Sequence, residues 1–256
     1  MSIVTITHEG HVATVTLNRP DKMNAVTMEM LEGLAAAAAE IAGSDARTVV
    51  LRGEGRAFCA GLDVMSFATL APEGLLEPSH GEANIFQHAS LAWRGLEVPV
   101  IAALHHTCIG AGLQIALGAD IRIAEPGTKL SVMEMKWGLI PDMGGMLLLP
   151  ALVGADVMRR LIYTAEVVQA EEAQRLGLVT EVVVNSLARA TALATEIAEK
   201  SLSAVRAAKR LSALAETAPA ADVLAAERAE QAALLGKPEM MEQVTANIAK
   251  RAPVFK

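Results

Sequence analysis

Two carboxylates in a largely apolar stretch are the residues of this sequence best suited to moving protons. Glu134 and Asp142 are eight positions apart within residues 131–145. Apolar surroundings raise the pKa of a carboxyl group, and a raised pKa suits proton transfer near neutral pH. A structural interpretation is also open, in which Glu134 is solvated or paired with Lys136. The segment alone therefore indicates a candidate acid–base group.

Two turns rich in small residues could place backbone N–H donors beside such a group. Residues 56–63 follow a predicted strand, and residues 107–114 lie between a predicted strand and a helix. Free N–H groups there could stabilise a developing negative charge. A structural alternative is open for each turn: Gly in the first tolerates positive φ, and the small residues of the second allow close packing of the helix on the strand. The second turn has one G-x-G without the full spacing and downstream acid of a dinucleotide fingerprint, so a Rossmann NAD site is disfavoured.

Alternating strands and helices must position these segments. Two stretches of period-two character around Glu9-Gly10 predict a β-hairpin. The later order of elements predicts parallel strands with right-handed crossovers. The predicted elements are a helix over 28–42 ending at Gly43, strands over 48–53, 98–104 and 120–124, and a helix over 110–117.

The remaining chain is divided between a long loop and a helical region. Residues 67–84 contain two prolines and two glycines, and we expect a loop beside the ligand. After Pro150 one strand is predicted over 177–184, followed by Ala-rich helices over 186–214 and 220–235. Such helices bury little surface each, so they are expected to pack against neighbouring subunits. We divide the chain into a core domain, residues 1–195, and a helical region, residues 196–256.

Composition excludes several classes of protein. Hydrophobic residues make up 52% of the 256 positions and charged residues 20%, which excludes a disordered chain, and no apolar run approaches the roughly 20 residues that span a bilayer. A formal net charge of −7 with scattered Lys and Arg argues against nucleic-acid binding. Cys59 and Cys108 are too few for a disulfide framework, and no zinc-type spacing occurs, so we expect no metal. A reducing cytoplasm fits best, since residues 1–18 resemble strands and not a targeting signal.

Joined in order, these segments resemble the enoyl-CoA hydratase/isomerase, or crotonase, family over essentially the whole chain. The matching pieces are Leu17-Asn18-Arg19-Pro20 with Asn24-Ala25, Ala57 to Asp63, Gly110-Ala111-Gly112 leading to Asp120, Glu134 with Gly138-Leu139-Ile140-Pro141, and Ala170 to Val179. The resemblance implies an α/β fold, a crotonase-like spiral of repeated ββα units with a C-terminal helical trimerisation region. It further implies a homotrimer or a dimer of trimers.

The resemblance also implies a site. The substrate would be carried as a coenzyme A thioester, with no permanently bound cofactor. Backbone N–H groups of Leu62 and Ala111 would hold the thioester carbonyl, and such oxyanion holes stabilise an enolate by several kcal/mol. The residues implied for coenzyme A binding are Met23, Ala25, Ala60, Asp63 and Lys250, the last reaching the phosphates from a neighbouring subunit.

The residue at position 114 bears on the type of reaction. Hydratases of the family carry a second glutamate where this chain has Gln114, and an amide cannot exchange a proton at accessible pH. One carboxylate is enough to move a double bond, because it can take a proton from one carbon and return it to another. We therefore expect an isomerase with Glu134 as acid–base catalyst and Gln114 as its hydrogen-bonding partner. Asp142 matches a second catalytic aspartate of the family's dienoyl-CoA isomerases.

Two other functions stay open at this point. One is an enoyl-CoA hydratase of fatty-acid degradation, which forms 3-hydroxyacyl-CoA and in which Asp142 or Gln114 positions the water. The other is an acyl-CoA-binding protein with little catalysis. In that protein, Glu134→Ala would leave every measured conversion unchanged.

Overall fold

The structure is a computed structural model that describes residues 2–63, 65 and 73–255. Residues 67–72 of the predicted loop therefore lie outside the described part of the chain, and its remainder contains one short helix. The strands are β1 (Val4–Glu9), β2 (Val12–Leu17), β3 (Thr48–Gly53), β4 (Val100–Leu104), β5 (Thr107–Ile109), β6 (Ile121–Ala124), β7 (Lys129–Ser131), β8 (Val168–Gln169) and β9 (Glu181–Val182).

Helices surround these strands. The α-helices are α1 (Met28–Ala42), α2 (Glu73–Leu76), α3 (Ile85–Gly95), α4 (Ala111–Leu117), α5 (Gly145–Leu148), α6 (Ala155–Thr164), α7 (Ala170–Leu176), α8 (Ser186–Ala198), α9 (Leu202–Ala215), α10 (Ala220–Leu234) and α11 (Pro238–Ile248). Short 3₁₀ turns cover Pro20–Lys22, Glu134–Trp137 and Leu149–Ala151. Among the described residues, none of the helices is both long and apolar enough to cross a membrane.

A six-stranded sheet in the order β1-β2-β3-β4-β6-β9 forms the main layer. The β1–β2 pair is antiparallel, which confirms the predicted hairpin, and the other neighbours in this sheet are parallel. Val49 and Leu51 of β3 pack into the core on one face, whereas Val50 packs into a second cluster on the other. Both faces of the sheet are therefore buried, as parallel sheets require.

A second, three-stranded sheet in the order β5-β7-β8 was not predicted. Its strands are only two or three residues long, which is too short for any of the three to show a periodic pattern. Their pairing partners are also distant in sequence. β5 and β7 run parallel, with Cys108 opposite Leu130. This small sheet carries two of the segments that were predicted to do chemistry.

Two predicted elements were wrong in extent. The strand expected over 177–184 is reduced to β9, because Gly177 ends α7 with φ +97°, and Val184 is largely exposed. The helix expected over 186–214 is interrupted after Ala198. There the hydroxyl of Ser201 accepts the backbone N–H of Ala204 and so begins α9 as a separate helix.

The predicted division at residues 195 and 196 falls inside α8. This helix packs on the back of the main sheet, where Ala190 and Ala194 contact the cluster around Val50. The ammonium of Lys209 then attaches α9 to the core, because it donates to Asp120 at 2.9 Å and to the carbonyl of Val98 at 2.8 Å. The helical region is therefore joined to the core by both packing and charge, and its independence as a domain stays a prediction.

Candidate active site

Three chain segments run side by side and deliver the predicted site residues to one place. Cys59 forms a parallel bridge with Cys108, and the N–H of Ile109 donates to the carbonyl of Cys59 at 3.2 Å. On the other side, the N–H of Gly110 donates to the carbonyl of Ser131 at 2.9 Å. Because parallel segments end at the same edge, the residues that follow each of them meet there.

Glycine residues at two turns allow the segments that carry Leu62, Ala111 and Glu134 to approach one another. Gly61 has φ +96° and Gly110 has φ +53°, conformations that L side chains rarely adopt. A Cβ placed on Gly110 would lie 3.8 Å from the Cα of Gly61 and 3.6 Å from Oε1 of Glu134. The Gly110 turn thus lies close to both the Gly61 turn and the carboxylate. Position 112 requires glycine on grounds of space, since a Cβ there would lie 2.6 Å from the Cβ of Cys59.

Leu62 and Ala111 present backbone N–H groups at this junction. The carbonyl of Gly61 accepts from Val26 at 2.8 Å, and the N–H of Asp63 donates to the carbonyl of Val26 at 2.9 Å. Leu62 is the residue opposite Val26 in this bridge, but its own N–H takes part in neither bond, and Ala111 is the first residue of α4. Over the described stretches of chain, neither N–H donates a hydrogen bond. Both residues line the same cavity, so two donors are available to a ligand oxygen.

The side chains of Gln114 and Glu134 are both buried and form a direct hydrogen bond. Nε2 of Gln114 donates to Oε1 of Glu134 at 2.6 Å. The amide cannot be turned around, because its Oε1 accepts the backbone N–H groups of Met143 at 2.9 Å and Gly145 at 3.0 Å. Gln114 is therefore a fixed donor toward Glu134.

Glu134 has the properties of a proton-transfer group. Burial raises the pKa of its carboxyl above the ordinary value, and the negative charge of Asp142 acts in the same direction, whereas the Gln114 amide lowers it. Its Oε2 is buried and has no hydrogen-bond partner among the described residues. Because Glu134 lines the same cavity as Leu62 and Ala111, its carboxylate can accept a proton from a molecule bound there.

The cavity that joins these groups has a volume of about 220 Å³. Apart from Glu134 and the backbone, the part of its wall that the structure describes is apolar. It is lined by Ala60, Gly61, Leu62, Ile109, Gly110, Ala111, Met133, Glu134, Trp137 and Leu139. This lining suits an acyl chain more than a polar ligand.

Asp142 lies outside the described lining of the cavity. It is exposed to solvent and is not among the residues that line the cavity, although partial desolvation raises the pKa of its carboxyl. The negative charge of Asp142 raises the pKa of Glu134. Solvent access screens this charge, so the influence that we assign to Asp142 is a weakened electrostatic one. Its role as a second catalytic carboxylate stays a prediction.

Of the residues implied for coenzyme A binding, Ala60 lines the cavity, and three others surround the Leu62 turn. The N–H of Ala60 donates to the carbonyl of Met23 at 2.9 Å. Arg19 donates to the carbonyl of Ala25 at 3.0 Å and to the carboxylate of Asp63 at 2.7 Å. These contacts place Met23, Ala25 and Asp63 together, and their binding of coenzyme A stays a prediction.

Lys250 lies just after α11, with φ +50°, and is exposed. Its described contacts include a backbone hydrogen bond to Asn247 at 3.2 Å. Its contact with coenzyme A phosphates from a neighbouring subunit stays a prediction.

Two features of the site were not predicted from the sequence. One is the pair of backbone donors that orient Gln114, and the other is Trp137 in the cavity wall. Trp137 is 59% exposed although it lines the cavity, so it forms part of the rim. The nearest available signal was position: Trp137 follows Glu134 by three residues in one 3₁₀ turn. The contacts of Met143 and Gly145 depend on folding and had no local signal.

Comparison with known proteins agrees with this geometry. Residues 7–256 match the family model described as enoyl-CoA hydratase/isomerase. A short-chain-enoyl-CoA hydratase from Clostridium acetobutylicum is 35% identical over 172 residues, which cover 66% of this chain and 64% of that protein. A Mycobacterium tuberculosis protein named probable enoyl-CoA hydratase EchA14 is 36% identical over 169 residues, which cover 66% of this chain and 64% of that protein.

The likeness extends to the whole fold. The crystal structure of an enoyl-CoA hydratase from Bacillus anthracis superimposes with a TM-score of 0.92 at 29% identity, covering 99% of each chain. The predicted crotonase-type α/β fold is thereby confirmed. The chain belongs to the enoyl-CoA hydratase/isomerase family of the crotonase superfamily.

Proposed function

We propose that the protein is an isomerase that moves a double bond in an enoyl- or dienoyl-coenzyme A thioester. The observation that carries this proposal is the fixed hydrogen bond from Gln114 to Glu134. Because both lone-pair regions of the Gln114 carbonyl face backbone N–H groups, the amide supplies only a donor to the site. Among the described residues of the cavity wall, Glu134 is then the single group that can exchange a proton near neutral pH.

One carboxylate accounts for every proton in this reaction. The carboxylate of Glu134 takes a proton from carbon 2 of a 3-enoyl thioester, and the electron pair of the broken C–H bond is delocalised into a dienolate. The N–H groups of Leu62 and Ala111 hydrogen-bond the thioester oxygen, where negative charge accumulates. The same carboxyl group returns the proton to carbon 4, and the double bond becomes conjugated with the thioester. No water enters the product.

A hydratase is the second candidate, and the names of the relatives favour it. Syn addition of water requires one group that activates the water and one that delivers a proton. Gln114 can orient a water molecule but can do neither step. Asp142 would have to assist from outside the cavity wall, which makes hydration the weaker proposal.

Substrate panels separate these candidates. The purified protein is given 2-enoyl-, 3-enoyl- and 3,5-dienoyl-coenzyme A, and products are identified by chromatography and mass. We expect isomers of unchanged mass, with turnover falling by about 10²-fold or more in Glu134→Gln. Rapid gain of one water by 2-enoyl-coenzyme A would favour hydration instead. Thioester binding with no conversion in the wild type would indicate a binding protein.

We also propose a homotrimer, or a dimer of trimers, located in the cytoplasm. Apolar side chains on the C-terminal helices support assembly, because Leu224, Leu235 and Ile248 are 52%, 57% and 79% exposed in the single chain. Light scattering coupled to gel filtration tests the assembly, and a monomer at micromolar concentration would contradict it. Cell fractionation tests the location.

A further inference from the structure

The loop over residues 19–26 holds the turn of Leu62 from both sides. On the entering side, the fully buried Asn24 donates from Nδ2 to the carbonyls of Ala57 at 2.8 Å and Phe58 at 3.1 Å. Its own Oδ1 accepts the backbone N–H of Arg19 at 2.8 Å. The start of the turn is therefore fixed to this loop.

On the leaving side, the contact is an ion pair. Nη1 of Arg19 donates to Oδ2 of Asp63 at 2.7 Å and to the carbonyl of Ala25 at 3.0 Å. Oδ1 of Asp63 accepts the N–H of Met65 at 3.1 Å. The Arg19 guanidinium holds the pKa of Asp63 below its usual value, so the carboxylate stays charged and the contact persists near neutral pH. Both partners are less than a quarter exposed.

We infer that Arg19 is a positioning residue of the oxyanion hole, which aims the N–H of Leu62 by anchoring the adjacent Asp63. The inference rests on the proposed thioester site, but it holds whether that site isomerises or hydrates. Leu62 is the one residue between the Gly61 carbonyl and the Asp63 N–H, both of which are bonded to Val26. Without the contact to Arg19, Asp63 would be free to move and the peptide between Gly61 and Leu62 could rotate. The N–H of Leu62 would then no longer point at the thioester oxygen.

A direct role in binding phosphate makes the opposite kinetic prediction. If Arg19 held the phosphates of coenzyme A, its loss would raise KM and leave kcat unchanged. If it positions Leu62, the interaction that strengthens as charge develops is lost, so kcat falls while KM changes little. The two roles are therefore separable in one experiment.

The test compares Arg19→Met, Arg19→Lys and Asp63→Asn with the wild type. Kinetics are combined with the red shift of a bound conjugated enoyl thioester, whose absorption moves to longer wavelength as its carbonyl accepts stronger hydrogen bonds. We expect Arg19→Met to lose about 10- to 100-fold in kcat and most of the red shift. Lys should recover part of both, since a single nitrogen makes both Arg19 contacts. Arg189→Met is the control, because Arg189 pairs with Glu181 at 3.0 Å away from the cavity.

The double variant Arg19→Met/Asp63→Asn should be no worse than the stronger single variant, because both changes break one contact. Unchanged kcat and red shift in Arg19→Met would overturn the inference, as would a rise in KM alone. If Arg19→Met does not fold, Arg19→Lys and Asp63→Asn decide the question by the same readouts. Failure of the wild type to bind any thioester would instead overturn the proposed function.

Discussion

Nε2 of Gln114 lies 2.6 Å from Oε1 of Glu134, and the backbone N–H groups of Met143 and Gly145 prevent the amide from reversing. This relationship leaves the carboxylate with one bonded oxygen and one oxygen free of described partners. A hydrogen bond to the anion stabilises it, while burial destabilises it. Glu134 is thereby held as a base that can also release its proton.

Gln114→Glu should shift the reaction toward hydration. One oxygen of the new carboxylate would accept from Met143 and Gly145, and the other would face Oε1 of Glu134. Two carboxylates at this distance share a proton, which supplies both an acid and a base. We expect the ratio of hydration to isomerisation, measured with 2-enoyl and 3-enoyl substrates, to rise by about tenfold or more. Gln114→Met is the control and should gain no hydration; an unchanged ratio in Gln114→Glu would contradict the prediction.

The acid limb of the pH–rate profile should move in opposite directions in two variants. The reaction needs ionised Glu134, so kcat/KM falls as pH decreases through the raised pKa of this group. Asp142→Asn removes a negative charge that raises this pKa, so the limb should move to lower pH. Gln114→Met removes a hydrogen bond that lowers it, so the limb should move to higher pH. Profiles of kcat/KM that coincide with the wild type would show that another group controls the rate.

Glu134→Gln should gain stability relative to the wild type as pH rises. The pKa of Glu134 is higher in the folded protein than its ordinary value of 4.5, so the folded state holds its proton longer than the unfolded state. Ionising the buried Glu134 destabilises the folded wild type. This destabilisation is absent below the pKa of the unfolded state and complete above the pKa of the folded state. The difference in Tm between variant and wild type should therefore move in favour of the variant as pH rises from below 4.5 through the raised pKa of the folded state. A difference independent of pH would contradict the assigned protonation.

Gly110→Ala should reduce turnover by straining the backbone that carries Ala111. Space alone would permit the methyl group, since its nearest described neighbour is 3.6 Å away, but φ is +53°. Relaxation would displace the Ala111 N–H, and an oxyanion donor is worth about 10²-fold in kcat. Gly127→Ala is a matched control, with φ +71° and nothing within 4 Å of the new methyl group. Equal kcat values for the two variants would exclude this role for the Gly110 turn.

Local signals in the sequence were enough for much of the fold. The hairpin and helix α1 were predicted because alternation, a run of helix-forming residues and the terminal Gly43 act within a few residues. Glu134, Leu62 and Ala111 were found by the resemblance of their segments, and the structure brings all three to one cavity.

Long-range contacts account for what could not be predicted. The fixed orientation of Gln114 depends on N–H groups 29 and 31 residues away. Asp142 lies in an apolar segment, but its own position turns toward solvent. Arg19 was seen only as part of a motif, because its partner Asp63 is 44 residues distant.

The claim that one carboxylate moves a proton without water is tested most directly by running the reaction on a 3-enoyl thioester in heavy-oxygen water. Products are separated by chromatography and weighed by mass spectrometry at early times, with Glu134→Gln in parallel. We predict that the wild type forms a conjugated 2-enoyl thioester of unchanged mass, with no heavy oxygen incorporated, and that the variant forms almost none. Rapid appearance of a product carrying one heavy-oxygen hydroxyl group, or equal conversion by the variant, would contradict the account.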